Sequence, residues 1–163
     1  MLKLRKNKKG FTLVELIVVI AIMAVLAGTV AGVTVSQLNK QTDKTMATEA
    51  KGIADFISTW IIENNFDLTE ATAITAVKAS DNTTLIDALQ KQYGTDKVVS
   101  GASTDAKIGV SFVAGGTEAT PDKTKNVIKV EYKGKQSGTK GDVSYTVNAE
   151  GVVAKVTPAA AQG

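Results

Sequence analysis

The longest feature of the hydrophobic pattern is an apolar run that begins at Phe11 and carries a single carboxylate, Glu15, near its start. The next charged residue is Lys40, so 24 consecutive positions after Glu15 are uncharged. About 20 apolar residues are enough to cross the hydrocarbon of a bilayer as a helix. The pattern therefore predicts a transmembrane or assembly helix over residues 11–38.

The helical pattern continues past this run, because no proline occurs between Phe11 and Asn64. Residues 39–65 read as an amphipathic half of the same helix, with apolar residues at three- and four-residue spacing. The members of this stripe are Met46, Ala50, Ile53, Ile57, Trp60 and Ile61. The stripe predicts packing against the downstream domain. Trp60 could instead serve recognition at the surface, but its place on the stripe favours the core.

Residues 66–163 predict a globular α+β head. One short helix is expected from four apolar residues at helical spacing, Leu68, Ala71, Ile74 and Val77. A second helix follows Thr83 or Thr84, with Gly94 as its stop. The apolar face of the second helix consists of Leu85, Ile86 and Leu89.

Beyond Gly94 the apolar period drops to two, which predicts three or four antiparallel strands with one buried face. The alternating segments are residues 108–114, 128–133, 143–147 and 152–156. Residues 148–151 read as a short hairpin turn, and residues 135–141 as a longer polar one. The predicted fold class is α+β, with the long N-terminal helix packed on a C-terminal antiparallel β-sheet.

The charge of the chain is concentrated in a basic leader, residues 1–10, which holds five of the nineteen Lys and Arg residues. Without the leader, fourteen basic residues face sixteen acidic ones, and the net charge changes from +3 to −2. No basic stripe of the kind that follows phosphates remains, so no specific nucleic-acid site is predicted. Basic residues beside an apolar helix stay cytoplasmic, which places the head outside.

The chain contains no cysteine and no histidine. These absences exclude a Ser-His-Asp triad and histidine-ligated metals, and we expect neither an enzyme nor a cofactor. Asp122, Asp142 and Glu150 lie in or near predicted turns and are candidate calcium ligands. Scattered surface carboxylates are usually only solvated, so no metal site is predicted.

The segment Gly10-Phe11-Thr12-Leu13-Val14-Glu15, followed by the apolar residues 16–22, resembles the N-terminal signature of type IV pilins and pseudopilins. The resemblance is close over residues 8–31. It implies cleavage between Gly10 and Phe11 by a prepilin peptidase, N-methylation of Phe11 and assembly through the apolar helix. It also implies that Glu15 meets the N-terminal ammonium of a neighbouring subunit, although Glu15 could also pair with Phe11 of its own chain.

Two glycines in the apolar half, Gly28 and Gly32, have the small-xxx-small spacing that lets helices approach closely in a membrane. Many members of the family have a proline near the position of Gly32, where the helix melts locally in the filament. Gly28 and Gly32 are therefore expected either to pack against another helix or to form a weak point. The family also often closes its C-terminal region with a disulfide, which this chain cannot form.

The resemblance thus implies a structural subunit of a type IV pilus, most like a pilin without the C-terminal disulfide. Its partners would be further copies of itself, prepilin peptidase and the pilus assembly machinery. It would span the cytoplasmic membrane once before assembly and lie in an extracellular pilus afterwards. One alternative is a pseudopilin of a type II secretion or DNA-uptake system. The other is a Sec-secreted or membrane-anchored binding domain, with a signal peptidase site near residues 27–32.

Overall fold

The computed structural model describes residues 10–79, 82–104, 107–117, 120–136 and 138–157. The chain divides into two compact units, Met1–Leu38 and Asn39–Gly163. The predicted leader, except for Gly10, and residues 158–163 lie outside the described residues.

Helix α1 spans Leu13–Glu63, which is 51 residues, and confirms the predicted long N-terminal helix. It ends where Asn65 adopts a left-handed backbone conformation, with φ of 46°. Asparagine tolerates this conformation better than most residues and commonly terminates helices. The predicted stripe is buried from Ala50 to Ile61, and Trp60 is only 7% exposed, as expected of a core residue.

Within its described residues, the second unit contains the C-terminal part of α1, helix α2 and seven strands. In chain order, helix α2 and the strands are α2 (Leu85–Tyr93), β1 (Val98–Ser100), β2 (Ile108–Val113), β3 (Gly116–Thr117), β4 (Thr120–Pro121), β5 (Val127–Tyr132), β6 (Val143–Asn148) and β7 (Val153–Val156). The main sheet has the order β1-β2-β5-β6-β7, and β3 pairs with β4 in a separate hairpin. Strand β1 runs parallel to β2, and all other pairs are antiparallel. The layout is α+β, as predicted.

The sheet and α1 share one hydrophobic core. Strand β5 shows the alternation that the sequence predicts, with Ile128, Val130 and Tyr132 buried and the residues between them less so. These side chains join Ile53 and Ile57 of α1 in the same cluster. Each fully buried side chain of this size contributes about 1.5–3 kcal/mol by leaving water.

Helix α2 forms where the sequence predicts it, and both of its ends are explained by single residues. The Thr84 side chain accepts a hydrogen bond from the Asp87 N–H and so caps the N-terminus. Gly94 follows the helix with φ of 102°, a conformation that glycine adopts at little cost.

The helix predicted from Leu68, Ala71, Ile74 and Val77 is wrong. All four side chains are buried, but the only helical residues between Phe66 and Ala79 are a single 3₁₀ turn, Ile74–Ala76. The Asp67 carboxylate accepts a hydrogen bond from the Thr69 N–H at 2.8 Å. Such a local side-chain bond offers the backbone an alternative to the helix.

The prediction of three or four strands omitted the two-residue strands β3 and β4, and it also omitted β1. This strand has three residues and pairs in parallel with β2, so it lacks the length that makes a two-residue period visible. The four strands that were predicted correspond to β2, β5, β6 and β7. Residues 148–151 form the predicted turn between β6 and β7, with the Gly151 N–H donating to Asn148 O at 3.0 Å.

Hydrogen bonds from side chains to distant backbone carbonyls hold the C-terminal part of the second unit in the absence of cysteine. The Ser58 hydroxyl of α1 donates to Gly151 O at 2.5 Å. The Asn126 side chain, which is buried, donates to Leu68 O at 2.9 Å. These contacts join residues 93 and 58 positions apart along the chain.

Candidate processing and assembly site

Helix α1 begins with reciprocal hydrogen bonds between Thr12 and Glu15. The Glu15 N–H donates to Thr12 Oγ1 at 3.3 Å, and the Thr12 N–H donates to Glu15 Oε2 at 3.2 Å. The Thr12 hydroxyl also donates to the same carboxylate oxygen. This is a capping box, which satisfies backbone donors that a helix start leaves without partners. Its sequence signature, Thr-x-x-Glu before an apolar run, was present but not used in the predictions above.

The capping box holds the Glu15 carboxylate at Thr12, the residue that follows Phe11 in the sequence. In the uncleaved chain the Phe11 nitrogen is an uncharged amide. Within the described parts of the chain, Glu15 forms no ion pair. Among the residues that the structure describes, its carboxylate is therefore oriented by Thr12 and has no cationic partner.

The first unit exposes its apolar side chains. All described side chains of residues 10–30 and 32–38 are exposed, and Phe11 reaches 87%. The most apolar window of α1 has a mean hydropathy of 2.8. By length and composition, α1 is long and apolar enough to cross a membrane. Apolar surface on this scale marks contact with lipid or with another protein. The long apolar helix thus fits membrane anchoring.

Two threonines in the apolar segment satisfy their hydroxyls within the helix. Thr29 donates to Leu26 O at 2.9 Å, and Thr34 donates to Val30 O at 2.9 Å. Polar groups in hydrocarbon must find such internal partners, since no water is available. Glu15, the one charged residue between Phe11 and Asn39, is thus the group in this segment that most needs an external partner.

Gly28 and Gly32 lie inside α1, and no contact within the described chain requires them to be glycine. A Cβ built at either position would meet nothing within 4 Å. Their role as a packing surface for another helix, or as a weak point, therefore stays a prediction about assembled subunits.

Comparison with known proteins gives one match. Residues 5–31 match the family model described as the prokaryotic N-terminal methylation motif. No curated protein and no solved structure matches the chain. The matched segment contains Gly10, Phe11 and Glu15 and is the signature of type IV prepilins and pseudopilins. The motif supports a type IV pilin-like or pseudopilin protein that is processed at its N-terminus.

A second carboxylate, Asp43 of α1, lies in the second unit and is only 4% exposed. It accepts hydrogen bonds from the Tyr132 hydroxyl at 3.0 Å, from the Lys135 N–H at 2.9 Å and from the Gln136 side chain at 2.9 Å. Asp43 therefore fixes the end of β5 and the start of the loop that follows it against α1.

These contacts shift the pKa values of both side chains in the pair. Burial alone would raise the pKa of Asp43, but the hydrogen bonds from Lys135, Gln136 and Tyr132 outweigh it and lower the pKa below its usual value. Burial and the hydrogen bond to Asp43 raise the pKa of Tyr132 to about 12. A Cβ on Gly141 would collide with the Asp43 carboxylate, which explains a glycine there.

The sequence contained a signal for Asp43 that was not recognised. The residue lies three positions before Met46 and so extends the buried stripe by one step at the same spacing. A lone acid on an otherwise apolar helical face indicates a buried carboxylate that needs donors.

The three candidate calcium ligands, Asp122, Asp142 and Glu150, have different structural surroundings. Asp142 accepts a hydrogen bond from the Gly134 N–H at 2.7 Å. Asp122 pairs with Lys125 at 2.8 Å, and the hydrogen bonds from Lys125 and Thr124 lower its pKa. Glu150 lies in the turn between β6 and β7. Among the described residues, no group of three or more potential ligand side chains could hold a metal ion.

Proposed function

We propose that this protein is a structural, non-enzymatic subunit of a type IV pilus. The precursor spans the cytoplasmic membrane once, with its leader inside and its second unit outside. A prepilin peptidase cuts between Gly10 and Phe11, and the new N-terminus of Phe11 is methylated. The pilus assembly machinery then stacks the subunits through their apolar helices into an extracellular filament.

The observation that carries this proposal is the position of Glu15 within the matched motif. A carboxylate at the centre of a membrane helix costs about 2.5–3.5 kcal/mol, and less near the interface. A plain membrane anchor gains nothing from it. An assembly gains a partner for the ammonium group that cleavage creates on a neighbouring subunit. Gly28 and Gly32 would then lie among the packed helices.

A pseudopilin of a type II secretion or DNA-uptake system is the second candidate, since it carries the same motif. The size of the second unit favours a pilin. Abundance on extended surface fibres would separate the two. A Sec-secreted or membrane-anchored binding domain is the least favoured alternative, because it assigns no role to Glu15.

The test of processing is the mass of the N-terminal peptide of the native protein. We expect a peptide that begins at Phe11 and carries one additional methyl group. A start beyond about residue 27 would indicate a conventional secreted protein. An intact Met1 would indicate a plain anchor, and either result would overturn the proposal.

The test of assembly separates the charge of Glu15 from its capping role. Glu15→Gln keeps a capping box, because glutamine also serves at the third helical position, but it removes the charge. Thr12→Ala removes the cap and keeps the charge. If the charge pairs with a neighbouring N-terminus, Glu15→Gln abolishes or strongly reduces filaments, whereas Thr12→Ala leaves them largely intact.

Both variants should still be cleaved, so the N-terminal mass serves as the control for each. Filament yield is measured by shearing and electron microscopy. Normal filaments from Glu15→Gln, or equal losses in both variants, would show that Glu15 acts through the helix start and not through charge.

A further inference from the structure

One face of the second unit carries an open groove of about 440 Å³. Helix α1 contributes Lys40, Asp43 and Lys44, which lie within one helical turn. The loop between β5 and β6 contributes Lys140 and Asp142, and β7 contributes Lys155. Folding thus brings together lysines that are about 100 residues apart in the sequence. We call this feature the lysine groove.

The lysine groove has four lysines and two carboxylates, a formal excess of two positive charges. Both of its carboxylates already accept hydrogen bonds from other residues, Asp43 from Tyr132 and Asp142 from Gly134. The ion pairs found among the described residues use other lysines, Lys51, Lys97, Lys125 and Lys129. All four groove lysines are exposed. This local positive charge contrasts with the net charge of −2 of residues 11–163, and it calls for an anionic partner.

The position of the groove along the chain indicates which anion it meets. With Glu15 at the inner interface, residues 16–38 form 23 helical positions of about 35 Å, which match a hydrocarbon thickness of about 30 Å with modest tilt. Lys40 follows Leu38 by two residues in the sequence and Lys44 follows it by six. This short chain distance keeps both lysines near the headgroup layer at the end of the apolar run.

We propose that the lysine groove binds the phosphate headgroups of anionic lipids on the outer face of the cytoplasmic membrane before the subunit is assembled. This proposal rests on the membrane-spanning precursor described under the proposed function. Each lysine near an anionic surface strengthens binding by about fivefold, and salt weakens the effect. The groove holds the second unit close to the membrane until the subunit leaves the bilayer for the filament.

Native mass spectrometry of the full chain in mixed micelles tests the proposal. The chain is equilibrated with equal amounts of phosphatidylglycerol and phosphatidylcholine, and the retained lipids are counted. We expect a preference for phosphatidylglycerol that falls by roughly 25-fold in the double variant Lys140→Gln, Lys155→Gln. These two lysines are chosen because they lie outside α1, so the membrane-spanning helix is unchanged.

Two matched variants control for net charge and for folding. Lys91→Gln with Lys123→Gln removes the same charge at exposed positions outside the groove and should keep the preference. Lys140→Arg with Lys155→Arg keeps the charge of the groove and should also keep the preference for phosphatidylglycerol. The basic leader is identical in all of these chains, so its contribution to lipid binding cancels in the comparison.

Equal retention of both lipids by the wild-type chain, or an unchanged preference in the Lys140→Gln, Lys155→Gln variant, would overturn the proposal. If that variant retains lipid normally but fails to form filaments, the partner of the groove is an acidic face of a second copy. If the full chain does not insert into vesicles at all, both this proposal and the membrane stage of the proposed function fail. A failure of the lipid preference alone leaves the processing and assembly tests untouched.

Discussion

The Asp43 carboxylate joins α1 to residues that lie 89 to 93 positions further along the chain. Its donors are a tyrosine hydroxyl, a backbone amide and a side-chain amide. Hydrogen bonds to a charged acceptor are worth about 1.5–3 kcal/mol each, and a buried donor left without a partner adds a cost of its own. We therefore regard Asp43 as a principal polar anchor of the second unit.

Replacement of Asp43 by alanine is expected to lower the free energy of unfolding by about 3 kcal/mol. The variant leaves the buried Tyr132 hydroxyl without its acceptor, so most of the loss is desolvation that is no longer compensated. The measurement is urea unfolding of the full chain in detergent micelles. Trp60, the single tryptophan, is buried in the second unit and reports the transition by fluorescence.

Asp55→Ala is the matched control on the same helix. Asp55 is half exposed and pairs with Lys51 at 2.7 Å across one helical turn. Exposed pairs of this kind contribute about 0.3–0.5 kcal/mol. Equal losses in the two variants would show that burial of the Asp43 contacts does not matter for stability.

The stability that Asp43 provides should depend on pH in the acid range. Its pKa in the folded chain lies below the unfolded value of about 3.9, so folding favours the ionised form. The contribution is therefore complete above about pH 4 and is lost as the pH falls through the folded pKa. We expect the gap in unfolding free energy between wild type and Asp43→Ala to be constant from pH 5 to 7 and to shrink towards pH 2.

Other carboxylates with lowered pKa values, Asp67, Asp122 and Glu131, occur in both chains and cancel in this difference. A gap that stays constant down to pH 2 would mean that the ionised form of Asp43 is not the stabilising one.

At the scale of single residues, the sequence identified the unusual carboxylate in the apolar run but not its nearest partner. Glu15 stands out because charge is rare in such a segment, whereas Thr12 looks ordinary until the helix start is known. The sequence does not single out Asp43, because the amphipathic half of α1 contains many polar residues and most of them are expected to face solvent. Its donors lie in a loop whose approach to α1 depends on the whole sheet.

Among the secondary-structure elements, α1 contains a position where a small change should stabilise it. Gly52 lies inside the helix, and a Cβ there would make only an ordinary contact with the Tyr93 hydroxyl at 3.7 Å. Glycine in a helix interior costs about 0.8–1 kcal/mol relative to alanine. Gly52→Ala should therefore raise the free energy of unfolding by about 0.5–1 kcal/mol, measured in the same urea assay.

Gly151→Ala is the opposing case. Gly151 has φ of 74°, and a Cβ would approach Ile62 Cδ1 to 2.9 Å. A side chain in this left-handed conformation is strained, and the contact adds to the strain, so a loss of about 1–3 kcal/mol is expected. Destabilisation by Gly52→Ala would show that a Cβ at position 52 does not fit beside the Tyr93 hydroxyl.

The sequence predicts some elements better than others. Elements whose limits depend on neighbouring residues are predicted well, and elements that depend on contacts between distant residues are not. Helix α2 has its cap at Thr84 and its stop at Gly94, so both ends are determined by neighbouring residues. The segment from Leu68 to Val77 has a helical spacing of apolar residues. Its apolar side chains are nevertheless buried in the core by a chain that is mostly irregular. Strand β1 exists only through its pairing with β2, which no local pattern shows.

For the molecule as a whole, removal of the leader reverses the sign of the net charge. The full chain has a net charge of +3 and an isoelectric point of about 9.0, and residues 11–163 have a net charge of −2. Isoelectric focusing of the native protein against the uncleaved chain should therefore show a shift from the basic to the acidic side. A Gly10 variant with a bulky side chain is expected to block cleavage and to remain basic.

An acidic band from that Gly10 variant would argue against the bond between Gly10 and Phe11 as the cleavage position. A native protein that focuses at the basic end would mean that the leader is retained.

The capping box also determines the backbone conformation that a peptidase would encounter. Helix α1 begins at Leu13, so Gly10 and Phe11 lie outside its hydrogen-bond ladder, and Phe11 is almost fully exposed. Proteolysis favours exposed segments that need no unwinding. A helix that extended back through Gly10 would have to lose a turn before each cut. Because α1 begins two residues after the proposed scissile bond, a peptidase would meet Gly10 and Phe11 in an exposed segment that is not helical.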